Sequence, residues 1–338
     1  MKRDAFFDNA KLVLIFLVVF GHMIQPFTDG SRPMYTLYTW IYTFHMPAFI
    51  FLAGFFAKGS GEKDYIIQLA KKLILPYLIF QLVYTGYYFF IGKDSGLTGI
   101  FYPHWSLWFL FSLFCWHILL YWFKKIPPLL GVAIAVQIGV LVGYFSDVGH
   151  HFSLSRTFVF FPFFLAGYWL TKDHVHKWRT RRIKEISLVL MAVVAGMIAM
   201  FPEFSSGWLL GSKSYEVLGS PEMGGLIRLG VYLLAGLMMI NVFAWIPNKE
   251  FRLTYLGGKT LYVYLLHGFF IQFFREANWF KVDHILDVIG LGIVAASIVY
   301  LLSSSIIRTL TQPIIEGRIQ LLKKWWHRTD AKDSNLQS

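Results

Sequence analysis

"KLVLIFLVVFGHM", Lys11 to Met23, is apolar enough to enter a lipid bilayer, yet it opens on a lysine and carries a histidine eleven positions later. An ionisable side chain in the hydrocarbon region is costly; it usually faces a protein interior or a water-filled cavity and serves a function. Runs of the same kind recur along the chain. Set against the ~20 residues needed to span a bilayer, they give ten candidates: Lys11 to Phe27, Thr39 to Ala57, Leu73 to Ile91, Trp105 to Phe123, Pro128 to Ser146, Thr157 to Thr171, Ile186 to Pro202, Ile227 to Ile246, Thr260 to Phe274 and Ile285 to Ile307. The expected fold is all-α, a polytopic membrane bundle of about ten transmembrane helices.

Composition agrees. Of 338 residues, 56% are hydrophobic and only 15% charged, which excludes an ordinary soluble domain. A net charge of +12 raises a nucleic-acid partner, but the charges fall between apolar runs rather than on one face, so none is expected. They report orientation instead. With the N-terminus placed in the cytoplasm, 24 of the 31 Lys and Arg lie on that side, "KDHVHKWRTRRIK" (Lys172 to Lys184) being the strongest loop. Both termini are then cytoplasmic in a multi-pass cell-membrane protein. No small-residue cleavage site follows the first span, so it is not read as a signal peptide. Residues 1–307 form one transmembrane domain. Residues 308–338, which mix Ile, Leu and Trp with Lys and Arg, read as a cytoplasmic interfacial helix and disordered tail. The single cysteine, Cys115, has no partner for a disulfide or multi-cysteine metal site, and no metal is expected.

Histidines carry the chemistry. At ~1.5 Å per residue, His22 lies about 16 Å along the helix from Lys11, near mid-membrane, with Lys11 at the inner face. His45 and His267 fall at similar depths from their own span ends, so the three are expected to meet. His117 reads as a packed ring bonded to neighbouring helices. Thr260, Tyr264 and His267 share one helical face, a stripe that suits either plain packing or a hydroxyl and an imidazole presented toward His22. Asp8, three residues before Lys11, pairs with it on the helix surface.

A basic residue, ten residues and a histidine in the first span resemble the signature of the acyltransferase type 3 family. Further matches follow in order: "FHMPAFIFLAGFF" (Phe44 to Phe56), "KKLILPYLIF" (Lys71 to Phe80), "HWSLWFLFSLF" (His104 to Phe114), "RTFVFFPFFLAGY" (Arg156 to Tyr168) and "GGKTLYVYLLHGFF" (Gly257 to Phe270). The nearest branch in style is the fucose 4-O-acetylases. The resemblance implies a ten-span enzyme that moves an acetyl group from cytoplasmic acetyl-CoA to a hydroxyl of an extracytoplasmic or envelope carbohydrate. On this reading His22 is the base or acyl acceptor, assisted by His267 and Tyr264. Lys11, Lys71 and Lys72 hold the polyanionic coenzyme, and Arg156, His45, Trp105 and Trp108 face the acceptor. The two tryptophans are equally what a membrane-interface belt would hold.

Two departures bear on this. Adjacent Lys71 and Lys72 stand where many relatives have Arg-x-x-Arg, and no esterase-like extracytoplasmic domain is evident, so the acetyl group goes directly to its acceptor or to a separate protein; the partners expected are such an acceptor-side protein or a homodimer. The competing reading is a carrier or flippase for a sugar or small solute, which would favour inverted repeats and buried acids; neither stands out. A structural scaffold would leave the membrane-embedded histidines and the basic entrance unexplained.

Overall fold

The computed structural model describes residues 4–57, 63–93, 102–146, 153–202 and 204–316. In chain order the helices are α1 (Ala5–Ile24), α2 (Arg32–Tyr42), α3 (His45–Phe56), α4 (Lys63–Phe90), α5 (Trp108–Phe123), α6 (Pro128–Leu141) and α7 (Leu154–Trp169). Then come α8 (Lys172–Lys177), α9 (Arg181–Met200), α10 (Gly207–Leu210), α11 (Gly224–Trp245), α12 (Thr260–Glu276), α13 (Ile285–Leu302) and α14 (Ser305–Glu316). No strand occurs among the described residues, so the all-α expectation holds.

Among the described residues six segments are long and apolar enough to cross a membrane: Ala5–Phe27, Arg32–Phe56, Tyr65–Phe90, Arg181–Met200, Gly224–Trp245 and Ile285–Leu302. The remaining four expected spans each lie on a helix, but these are shorter. α5 and α7 have 16 residues, α6 has 14 and α12 has 17. The count of ten is therefore not reached by length and composition.

α1 sits at the centre, packed against α2, α3, α12, α13 and the 3₁₀ turn Thr254–Lys259 that leads into α12. It begins six residues earlier than the apolar run, because Asp4 caps it by accepting from the Phe6 amide at 3.2 Å. Phe6 and Phe7 are buried, against Phe243 of α11 and Phe55 of α3 respectively. Asn9 fastens this end: its amide donates to the Pro247 and Lys249 carbonyls, and its oxygen accepts from Thr254. His22 consequently lies in the last turn of α1 rather than near its middle.

The second expected span is two helices, α2 and α3. Pro47 in the first turn of α3 has no N–H to give and its ring collides with the carbonyl four residues back, so a continuous helix is interrupted at Thr43 and Phe44. α3 crosses α7 at backbone distance. A Cβ added to Gly54 would stand 1.9 Å from the Phe164 carbonyl oxygen, and one on Gly167 would stand 2.0 Å from that of Phe51. Small residues let membrane helices approach this closely.

The fourth expected span begins with a turn rather than a helix. Gln81 of α4 donates to the Tyr102 carbonyl at 2.7 Å and accepts from the His104 amide at 3.0 Å, while Thr85 bonds His104 Nε2 at 2.8 Å. The segment 102–107 is thereby pinned inside the bundle. Irregular backbone among membrane helices is tolerated where protein or a cavity surrounds it, and Tyr264 supplies one partner by donating to the Ser106 carbonyl. Of the expected tail, residues 308–316 lie in α14, where Glu316 accepts from Tyr262, and residues 317–338 lie outside the described residues.

Candidate active site

The end of α1, the α2–α3 junction, the turn before α5 and the middle of α12 converge. His22 and His267 face one another with ring centroids 5.7 Å apart and planes at 25°. Trp105 packs against both, at 4.3 Å from His22 and 5.3 Å from His267. It does so from a left-handed backbone, φ 37°, a conformation that a bulky side chain rarely adopts. Strain of this kind persists only where the surroundings enforce it; here the Gln81 and Tyr264 bonds on either side do so. Trp105 is therefore a bundle residue and not part of an interface belt.

Tyr42, one turn before His45, places its hydroxyl 3.3 Å from His22 Nδ1 and its ring 4.4 Å from that of His45. His45 Nδ1 lies 3.0 Å from the Ile41 carbonyl, and His267 Nδ1 lies 2.7 Å from that of Tyr264 and 3.0 Å from that of Val263. Carbonyls only accept, so both rings carry their proton on Nδ1. His267 is fully buried, and its Nε2 has no hydrogen-bond partner among the described residues. The expected meeting of His22, His45 and His267 is what the fold produces. His117 lies elsewhere, bonded to Tyr65 at 3.0 Å and edge-on to Phe164.

Two residues at this centre are not among those expected from sequence. Arg275, in the last turn of α12, donates to the His22 carbonyl at 2.5 Å and to Gln25 Oε1 at 2.8 Å, with its guanidinium 5.6 Å over Trp105. The last carbonyls of a helix lack intrahelical partners and carry partial negative charge, which an arginine meets well. Tyr42 is the other. In the sequence Arg275 is one more charge after an apolar run, and Tyr42 one of 18 tyrosines; only the fold brings them to His22.

Cavities meet at the same point. A chamber of about 130 Å³ is lined by His22, Tyr42, His45, Trp105, Trp108 and Arg156 among others. It shares Trp105 and Arg156 with a larger vestibule of about 560 Å³, whose walls include Tyr88, Lys93, His104 and Arg275. Arg156 stands 5.0 Å over the Trp108 ring. In the opposite direction an apolar crevice of about 30 Å³ runs from His22 and Tyr264 past Val18 to Ile15, one turn of α1 from Lys11.

Lys11 Nζ pairs with Asp8 at 2.7 Å and lies 5.2 Å over Phe56, so this charge is largely neutralised locally. Lys71 and Lys72 are exposed on α4. They precede by about three and a half turns Tyr84, whose hydroxyl donates to the Leu265 carbonyl close to His267. That offset of about 20 Å puts them toward the same end of the bundle as Lys11. Among the described residues no group of three or more His, Cys, Asp or Glu is arranged to hold a metal ion.

A histidine at the end of the first helix, a basic residue eleven positions before it, and cavities meeting at that histidine are the physical content of the motif. Residues 4–305 match the acyltransferase domain family. The chain belongs to the acyltransferase type 3 family. The family is one of membrane acyltransferases, and it implies an acyl donor as co-substrate. Two relatives, each named "Nodulation protein NolL", are similar over part of their length. The one from Sinorhizobium fredii is 30% identical over 129 residues, 33% of this chain and 35% of that protein. The one from Mesorhizobium japonicum is 34% identical over 92 residues, 25% of each chain. The chain thus spans about a third and a quarter of the length of these relatives. No solved structure matches it.

Proposed function

We propose that this acyltransferase moves an acetyl group from cytoplasmic acetyl-CoA to a hydroxyl of a carbohydrate on the far side of the membrane. The observation that carries the reading is the position of His22 between an apolar crevice leading toward Lys11 and a polar chamber leading to the vestibule. A bilayer-spanning arrangement of about ten segments with both termini cytoplasmic, in the cell membrane, fits the charge distribution. In it the four shorter helices complete the bundle, and the segment beyond residue 307 lies on the cytoplasmic surface.

Lys11, Lys71 and Lys72 would attract the phosphates of the coenzyme from that side, the net positive charge coming mainly from the two exposed lysines of α4. The crevice is about the size of one water molecule, so admitting the thioester arm requires α1, α3 and α5 to part. His22 accepts the proton of the attacking hydroxyl while the hydroxyl oxygen bonds the thioester carbonyl and the C–S bond breaks. Alternatively its ring nitrogen takes the acetyl group first and passes it on. Both routes release the coenzyme thiol and leave an ester. Either route uses Nε2 when Nδ1–H donates to Tyr42. His267 and Tyr264 hold the opposite wall, and Arg156, His45, Trp105 and Trp108 line the acceptor side.

The test is protein in sealed vesicles, with labelled acetyl-CoA on the side of Lys11 and glycan on the other. Label on the glycan is expected. Passage of unmodified sugar with no acetyl transfer would make the protein a carrier instead.

A further inference from the structure

Of the 31 Lys and Arg, seven fall on the outer side in the sequence reading: Arg32, Lys93, Arg156, Lys213, Arg228, Arg275 and Lys281. Three of these, Lys93, Arg156 and Arg275, line one vestibule. Others are occupied by backbone: Arg32 donates to the carbonyls of Ile198, Ala199 and Phe201, and buried Arg228 to that of Trp208. The concentration in the vestibule is therefore local.

Among the described residues the acid facing these cations is Glu276, 3.6 Å from Lys93, and Lys93 also donates to Gln272. Arg275 is held by His22 and Gln25, yet its buried Nε has no partner among the described residues. Arg156 has its guanidinium over Trp108, and no hydrogen bond to it occurs among the described residues. His104, on the same wall, has its Nε2 bonded to Thr85 at 2.8 Å. Among the described residues, two more positive charges than negative ones thus face this 560 Å³ space, a volume in the range of small-molecule sites. A guanidinium's planar fork matches a carboxylate or phosphate, and it is costly to leave it unpaired in a confined space.

We propose that the vestibule selects an acidic acceptor, a glycan carrying a carboxylate or phosphate that Arg156 binds while Trp105 and Trp108 contact the sugar ring. The inference rests on the acceptor side proposed above and narrows it to one chemical class. Because Arg156 also borders the chamber of His22, the anionic group would lie next to the hydroxyl that is acetylated, on the same or the adjoining residue.

The experiment uses the full chain in lipid nanodiscs with labelled acetyl-CoA and envelope glycans extracted from the producing cells. The glycans are supplied untreated, after carboxyl reduction, or after phosphate hydrolysis. Label is expected on the untreated glycan, with at least a tenfold loss after one of the two treatments; which treatment abolishes it names the anionic group. Arg156→Gln should raise the acceptor KM at least tenfold and abolish the difference between treated and untreated glycan, with Arg156→Lys recovering part of it. Lys93→Gln, on the half-buried rim where that lysine is already paired with Glu276, should show the same trend more weakly. Equal labelling of all three glycans by the parental protein overturns the proposal while leaving acetyl transfer to a carbohydrate intact. Absence of label on every form, with acetyl-CoA still consumed, overturns the acceptor reading itself.

Discussion

The imidazoles of His22 and His267 stack 5.7 Å apart, on helices that meet at nearly opposite ends of the sequence. The two differ in what their nitrogens do. His267 is fully buried with Nδ1 committed to carbonyls, whereas His22 is half-buried, bonded to Tyr42, and lines chamber and crevice alike. His22→Ala should therefore lower acetyl transfer by at least the ~10²-fold typical of losing general acid–base catalysis, without loss of insertion or donor binding. His117→Ala, remote from the chamber, should have much less effect. A monodisperse His22→Ala protein working near the parental rate would pass the role to His45 or His267.

Tyr42→Phe removes one hydrogen bond from His22 and changes no volume. A single such bond is worth about 0.5–1.5 kcal/mol, so kcat should drop by about 3- to 10-fold with both KM values nearly unchanged. A rise in KM without a change in kcat would place Tyr42 on a substrate instead.

Arg275 holds the end of α1 through the His22 carbonyl and Gln25. Arg275→Gln leaves those acceptors without a charged donor and frees the turn that carries His22, so kcat should fall about 10-fold or more. Arg275→Lys, which keeps the charge but loses the fork, should recover only part. Full recovery by lysine would reduce the role of Arg275 to its charge.

Lys11 is paired with Asp8 at 2.7 Å. Lys11→Ala should raise the acetyl-CoA KM more than it lowers kcat, and the double change of Lys71 and Lys72 to Ala should raise it further, because those exposed ammonium groups carry the unneutralised charge. The check is steady-state kinetics at two salt concentrations, since surface attraction to phosphates weakens as salt rises. An unchanged KM with a strongly reduced kcat would move Lys11 to the reacting centre.

The sequence was informative where one periodicity or one costly residue decides the matter. Apolar runs located helices at all ten expected positions, and the expense of membrane-embedded imidazoles pointed to His22, His45, His117 and His267, from which depth along the spans and the spacing from Lys11 set His117 aside. It was blind to features set by neighbours. Nothing in the run starting at Trp105 shows that Gln81 and Thr85 will hold its first residues as a turn, which is why α5 starts late and Trp105 reaches the histidines. Nothing near Arg275 shows that α12 will end level with α1. Pro47 is different: its break between α2 and α3 was readable, and the surrounding apolar residues masked it.

The crossing of α3 over α7 supports the chamber from below, because α3 starts at His45 and α7 carries Arg156 in its first turn. Gly54 and Gly167 each lie against the backbone of the other helix, with carbonyl oxygens 1.9 and 2.0 Å from where a Cβ would stand. Neither neighbour is a flexible side chain that can swing away, so the helices themselves must separate. Gly54→Ala should destabilise the protein by at least the ~1–3 kcal/mol of an overpacked core, seen as earlier unfolding in detergent. It should also lower activity by widening the space between His45 and Arg156. Gly86→Ala, with nothing within 4 Å of the added carbon, is the matched control and should leave both unchanged. Equal stability of the Gly54→Ala and Gly86→Ala proteins would mean that α3 and α7 are not in backbone contact.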